Sequence, residues 1–214
     1  MINIDTATPN LAEQAYLDLR NRIMTRRLPA GPPLIEERLA RSLELSRTPL
    51  REALIRLLGE GLLVKFEGSS YAVRRITAVE YFQSMKVRLL LEPEAAARAA
   101  GQIGASGAAE LKSLITSLGK KKHQVEEHWA ADDRLHGLIA DASGNIVLAR
   151  TIQSARTPAR LFELTNPFQR VAVDCEEHLA ILDAAVNGDA KAAARAMQRH
   201  LHNLEREMRV MVTG

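Results

Sequence analysis

The run Ser46-Arg47-Thr48-Pro49-Leu50-Arg51-Glu52-Ala53-Leu54 decides how the N-terminal part of this chain reads. It has the makings of a helix start. Ser46 offers a hydroxyl to the first free backbone N–H groups, and Pro49 falls in the first turn, where a missing donor costs nothing. Leu50, Ala53, Leu54 and Leu57 recur at helical spacing as a buried stripe. Arg47, Thr48 and Arg51 lie off that stripe, the two arginines one turn apart. Such a helix end suits a DNA major groove: its amides favour phosphate, and guanidinium forks pair with guanine edges or the backbone.

Two arginines at that spacing, taken alone, describe a solvated helix face. The flanks decide otherwise. Upstream, Leu34 to Leu43 is a short amphipathic helix, joined through Glu44-Leu45, a connection short enough for a helix-turn-helix. Downstream, Gly61 ends the helix. Leu62 to Phe66 and Tyr71 to Arg74 are then expected as two strands around Glu67-Gly68-Ser69-Ser70. Further upstream, Leu11, Ala15, Leu19 and Ile23 mark a first helix, closed off by the rigid break Pro29-Ala30-Gly31-Pro32-Pro33. Helix, helix, turn, helix, hairpin is a winged helix-turn-helix.

At these residues the chain resembles the DNA-binding domain of the GntR family of bacterial transcription regulators. The carrying motifs are Leu28-Pro29-Ala30-Gly31-Pro32-Pro33-Leu34, Glu37-Arg38-Leu39-Ala40, the Ser46–Leu54 run with Leu57, and Glu60-Gly61-Leu62-Leu63. The resemblance covers residues 11 to 75 and implies that Arg38, Arg47, Thr48 and Arg51 contact DNA. The wing departs from the pattern. The family usually carries a basic residue and a glycine at the hairpin tip, where this chain has Glu67-Gly68-Ser69-Ser70.

Composition bounds the rest. The chain has 214 residues, 46% hydrophobic and only 4% aromatic, which favours folded helical domains. Net charge is +3, and its distribution is informative: residues 1–75 hold 12 Lys+Arg against 9 Asp+Glu, while residues 76–214 hold 17 of each. The positive excess lies where DNA would be. Cys175 is the single cysteine, so no intramolecular disulfide can form. No apolar run approaches the roughly 18 residues of a membrane span, and the first residues lack a secretory pattern. A cytoplasmic protein is expected.

We place the domain boundary at Arg74-Arg75-Ile76, giving a DNA-binding domain over 1–75 and a second domain over 76–214. Thr77 and Glu80 form a capping-box pattern. Beyond it the periodicity predicts six helices and no strands, near 77–101, 106–118, 122–142, 145–164, 167–187 and 189–212. The breaks fall at Gly101 to Gly104, Gly119, Ser143-Gly144, Asn166-Pro167 and Asn187-Gly188, with Asp189 capping the last helix. Short loops between such helices imply an antiparallel bundle. The expected fold is therefore mainly α, a winged helix-turn-helix followed by an all-α bundle.

The bundle carries a second constellation. Asp132 and His136 project from one helix face beside Leu135 and Ile139. His178 lies among Val171, Cys175, Ile181, Leu182 and Ala185. His200 shares its face with Ala193, Met197, Leu204 and Met211. One inward histidine is usually a hydrogen-bonded core residue, but three with a carboxylate at i,i+4 point to a divalent transition metal. Zinc leads, with nickel, manganese and iron as alternatives. His128, one turn before Asp132, is a lesser candidate ligand. His123 and His202 should be solvated, Lys120-Lys121-Lys122 a loop, and Cys175 and Trp129 packing residues. Arg88 shares a mostly inward face with Tyr81, Met85, Ala95 and Ala99 and needs an anion. Glu92 at i+4 could be that anion, or Arg88 could clamp the carboxylate of a small effector.

Asp132-x-x-x-His136, Gly144-Asn145, His178 and His200, with Arg88 and Glu92, are similar to the metal-binding FCD ligand domain of the FadR subfamily, in its smaller six-helix, VanR-like branch. Leu135 departs from it, since a phenylalanine commonly precedes the first histidine. The resemblance implies Asp132, His136, His178 and His200 as metal ligands, with coordination positions left for water or effector. A regulator that binds a palindromic operator as a homodimer, under control of a small organic acid, is the expected function. A metal-dependent hydrolase is the competing class, and a sensor of the metal itself a third. The chain shows no evident general base beside the site, and an enzyme has no need of a winged helix.

Overall fold

The computed structural model describes residues 10–68, 70–120, 125–165 and 170–213. It divides into two compact units, one ending at Ile76 and one beginning at Thr77.

The first unit contains α1 (Leu11–Met24), β1 (Pro33–Leu34), α2 (Glu36–Leu43), α3 (Arg47–Gly59), β2 (Leu63–Lys65) and β3 (Tyr71–Val73). Asn10 caps α1, its side chain accepting from the amides of Ala12 and Glu13. The stripe foreseen on α3 is the core: Leu50, Leu54 and Leu57 are fully buried beside Leu19 of α1. Each such leucine contributes roughly 1.5–3 kcal/mol of burial, which fixes α3 on α1 far more strongly than its termini do. Ser46 is the N-cap residue of α3 but makes no side-chain cap bond. The helix start is held by packing of Leu50, one turn in, rather than by the hydroxyl.

The wing is larger than two strands. β1 pairs antiparallel with β3, Pro33 opposite Ala72 and Leu34 opposite Tyr71, so the sheet order is β1-β3-β2. The proline-rich break thus also supplies a short edge strand, a position that tolerates proline because its missing N–H can face outward. Gly31, with φ +103°, makes the preceding turn in a backbone conformation that favours glycine, and the Arg75 guanidinium lies over it where a Cβ would be.

Among the described residues the second unit holds six helices: α4 (Ala78–Ala99), α5 (Ala105–Gly119), α6 (Val125–Ala142), α7 (Ile146–Thr165), α8 (Val171–Val186) and α9 (Ala190–Thr213). Thr77 caps α4 by accepting from the amide of Glu80 at 3.2 Å, and Asp189 accepts from the amide of Ala192 at 2.9 Å. α4 is central, packing against α6, α7, α8 and α9, while α5 and α9 flank α8. Helix ends fall within a few residues of the expected ones. The break at Asn166-Pro167, His123 and Lys121-Lys122 lie outside the described residues. On α9 the buried stripe ends at Met208; Met211, expected inward, is exposed because the helix has run past the core. Among the described residues, no helix is long and apolar enough to cross a membrane.

Candidate functional site

On the first unit, Arg38, Arg47, Thr48 and Arg51 are all exposed, Arg38 on α2 and the others on the first turns of α3. Nε of Arg51 donates to Oε2 of Glu36 at 3.1 Å, tying α3 to the first turn of α2. The helix N-terminus, two arginines and a threonine form one open, basic helix end. In the wing, Nζ of Lys65 sits 4.0 Å from the centroid of Tyr71, and Ser69 lies outside the described residues.

On the second unit, Asp132, His136, His178 and His200 each offer a donor atom, and these four lie within 4.8 Å of one another. Three helices deliver them: α6 the first two, α8 and α9 one each. All three histidines are buried to 1% exposure or less. Nδ1 of His136 pairs with Oε2 of Glu92, and Nδ1 of His200 with Oε2 of Glu177 at 2.7 Å. Each carboxylate thereby orients a ring so that its Nε2 faces the cluster, and neither Nε2 has a hydrogen-bond partner. Both ring nitrogens of His178 also lack one. Oδ1 of Asp132 stands 3.5 Å from Nε2 of His136 and 3.4 Å from Nε2 of His178.

Three buried, unpartnered imidazole nitrogens around one carboxylate are costly unless something binds them. Burial pushes His200 down to about 3 and also lowers His178, so both rings are neutral, the form that ligates a metal. Burial opposes the charge of Asp132, but Arg156 and Arg160 hold its pKa well below the usual carboxylate range. Neutral imidazoles at His178 and His200, the His136 ring and a charged Asp132 carboxylate make a donor set that fits a divalent transition ion. Carboxylates oriented on the far nitrogens, as Glu92 and Glu177 are here, complete such centres.

The surroundings hold residues that sequence reasoning passed over. Nη2 of Arg156 donates to Oδ2 of Asp132 at 2.7 Å and to Oδ1 of Asp133 at 2.9 Å. Nη2 of Arg160 donates to the same two oxygens, at 3.2 Å for Asp133. Both arginines are buried, one turn apart on α7. Their signal was present in the sequence: two cations at i,i+4 on the face carrying Ile152 and Ala159. Glu177 is itself held by Arg170 and by Nδ2 of Asn203 at 2.6 Å, and Arg170 reaches Asp174 at 2.5 Å and Glu207 at 2.6 Å.

Arg88 has the nearer of its two expected partners. Its Nε donates to Oε1 of Glu92 at 2.5 Å, both residues buried. Burial opposes ionisation of Glu92, but Arg88 and then His136 hold its carboxyl well below the ordinary range. Arg88 is thus joined to the cluster through Glu92. His128 lies outside the four-residue group: its Nε2 is 3.5 Å from Oδ2 of Asp174 and its ring stacks 6.0 Å from that of His178. Trp129 lies below the guanidinium of Arg160, 5.7 Å from its Cζ. Cys175 is 3% exposed on α8, and burial raises its thiol pKa to about 11. His202 is exposed, as expected.

Comparison with known proteins places this geometry. Residues 11–73 match the bacterial regulatory proteins of the gntR family, and residues 83–203 match the FCD domain. The chain is 31% identical over 192 residues to an HTH-type transcriptional regulator in an unstable DNA locus of Streptomyces ambofaciens, covering 87% of this chain and 80% of that protein. It is 30% identical over 214 residues to a putative L-lactate dehydrogenase operon regulatory protein of Escherichia coli, covering 88% and 80%. Among solved structures, E. coli McbR/YncC shares the fold with a TM-score of 0.78 at 22% identity, covering 96% of this chain and 98% of that one. The chain belongs to the GntR family of bacterial transcription regulators, as a DNA-binding regulator with a winged helix-turn-helix ahead of an FCD domain.

Proposed function

We propose that this regulator is controlled by a small carboxylic acid bound beside a divalent metal, zinc before nickel, manganese or iron. The observation that carries the reading is the set of unpartnered buried Nε2 atoms of His136, His178 and His200 facing Asp132. These residues would hold the ion. When bound, the metal supplies positive charge and coordination positions open to an acid. The chain's own groups do the rest. Glu92 and Glu177 keep the rings aimed, Arg156 and Arg160 keep Asp132 charged, and Arg88 balances Glu92. Because the ligands come from α6, α8 and α9, filling the site ties three helices together. That differential stability is what an effector needs to alter the DNA-binding unit.

On the DNA side, residues 1–75 bind the operator through Arg38, Arg47, Thr48 and Arg51, and residues 76–214 bind metal and effector and pair two chains. One short recognition helix reads too few bases, so a homodimer on a palindromic operator, with half-sites about one helical turn apart, is the arrangement proposed. The chain acts in the cytoplasm and catalyses no reaction. A relative named for an L-lactate dehydrogenase operon is in keeping with an acid as signal.

The test compares wild-type protein and His178→Ala, each zinc-loaded and chelator-stripped. Calorimetric titration with a panel of small carboxylates is followed by mobility shift on a selected operator. Zinc should be required for acid binding in the wild type and lost in His178→Ala, with operator binding kept. Sedimentation of the same preparation should give a dimer. Equal acid affinity with and without metal would overturn the metal–effector reading, and a monomer with full operator affinity would overturn the pairing.

A further inference from the structure

Glu36 is an acid on a surface read as meeting DNA. It stands in the first turn of α2, and its carboxylate reaches Arg51 on the open end of α3. A negative charge there repels phosphate. The bland account is the helix dipole: acids suit the first turn of a helix, and Ile35 gives α2 no side-chain cap. Glu37 fits that account, with a side chain 69% exposed that pairs along its own helix with Arg41. Glu36 differs. Its side chain is 20% exposed and leaves its own helix to take Nε of Arg51 at 3.1 Å.

Which nitrogen is held matters. An arginine carries one N–H on Nε and two on each terminal nitrogen. Glu36 takes Nε, so Nη1 and Nη2 keep their donors, on a side chain that is 59% exposed. Those two nitrogens can pair in parallel with O6 and N7 of one guanine. A carboxylate on the terminal pair would compete with DNA for the fork. On Nε it leaves the fork open.

Both ends of the pair stand on fixed supports. Leu39 and Ala40 of α2 are buried, as is Leu50, the neighbour of Arg51 on α3, and the two helices pack together. An arginine already held by Nε has less rotamer freedom to lose when DNA orders it. In the free protein the contact is a surface ion pair and adds little to stability. In the complex DNA covers it, water leaves, and the same attraction acts at a lower dielectric.

We propose that Glu36 is a positioning residue for base reading: it holds Arg51 by Nε and presents Nη1 and Nη2 together to one guanine. The inference rests on reading Arg51 as a DNA contact. It makes Glu36 a residue that gives up some attraction for phosphate and gains discrimination at a single base pair.

The test uses full-length protein and an operator selected with wild type from random duplex DNA. Each G·C pair of the operator is replaced by A·T in turn. Discrimination is the ratio of affinities for intact and replaced sites, read by fluorescence anisotropy at one fixed salt concentration. The pair at which Arg51→Ala loses discrimination is the guanine of Arg51. At that pair Glu36→Ala should lose about five-fold or more, while affinity for a scrambled duplex stays the same or rises. Glu36→Gln keeps an oxygen that accepts from Nε and should retain part of the discrimination, which guards against a disturbed α2 in the alanine variant. In an Arg51→Lys background, where no fork exists to be aimed, Glu36→Ala should change discrimination no further. The inference is overturned if Glu36→Ala tightens all duplexes equally with discrimination unchanged, since Glu36 is then a repelling charge alone. A loss that persists beside Arg51→Lys overturns it too, because Glu36 then acts without Arg51. If no G·C pair responds to Arg51→Ala, Arg51 reads no guanine and both readings fall together; a response to Arg51→Ala with none to Glu36→Ala removes this inference and leaves Arg51 in place.

Discussion

Glu92→Gln tests the core of the site through a quantity the structure predicts. Glu92 is 2% exposed and neutralises Arg88, itself 3% exposed, while accepting from Nδ1 of His136. The amide cannot balance the guanidinium, so a charge is stranded in the bundle, which costs about 3–5 kcal/mol. For a unit of this size that lowers the melting temperature by roughly 10–15 °C. Adding Arg88→Met removes the stranded charge, and the double variant should recover most of the loss. Thermal unfolding followed by circular dichroism on wild type, both single variants and the double gives the coupling directly. Zinc affinity should also fall by about ten-fold or more in Glu92→Gln, because His136 loses the carboxylate that aims it. Strictly additive melting shifts, or a single variant as stable as wild type, would refute the account of Arg88 as the counter-ion of Glu92. They would return Arg88 to the effector.

Two further outcomes follow from the same structure. Arg51→Ala should leave melting nearly unchanged, since Arg51 is exposed and its ion pair with Glu36 is a surface one. It should still weaken binding to a selected operator by about 1–3 kcal/mol for a lost guanine contact, with a shallower salt dependence if phosphate contacts go too; unchanged affinity in a mobility shift would remove Arg51 from the interface. For metal-free protein, burial lowers His128 to about 4 and His200 to about 3, and lowers His178 as well, so the unfolded chain binds protons the folded chain refuses. Stability contributed by these rings is therefore full above about pH 6.5 and declines as pH falls toward 4. Burial raises Asp174 to about 8 and raises Glu163 as well, and these work in the opposite direction, as two groups against three. A melting temperature that holds steady from pH 7.5 to pH 5 would contradict this.

Most of the fold could be read along the chain because its elements announce themselves locally. The α3 stripe, the Thr77 cap and the Asp132/His136 spacing are all statements about residues three or four apart. What escaped reading depends on distant partners. β1 is two residues long and exists only because Tyr71 and Ala72 lie opposite it in register. Glu177 is an ordinary helix residue until α9 brings His200 to it, and Glu92 meets His136 across 44 positions. Arg156 and Arg160 could have been suspected from their apolar helix face, yet nothing in the sequence says that two carboxylates on α6 converge on them. Arg88 and Glu92 show the intermediate case: their pairing was one of two local readings, and the packing of α4 against α6 chose between them. Ser46 shows the converse, a local signal that the tertiary packing made unnecessary.

Cys175 gives the bundle a clock. It is the only thiol in the chain, it is buried, and the Cβ that Gly119 lacks would come within 3.4 Å of it. A thiol-specific reagent can reach it only while α5 and α8 part, so the rate of alkylation counts those openings one molecule at a time. Burial raises the thiol pKa to about 11, so the covered sulfur carries almost no thiolate, and alkylation reports the open population wherever reclosing outpaces the reagent. Since Cys175 sits one turn from His178 on the same helix, any ligand that ties α8 to its neighbours must slow that clock. Occupancy of the site can thus be followed in crude mixtures with no operator, no chromophore and no knowledge of what the ligand is.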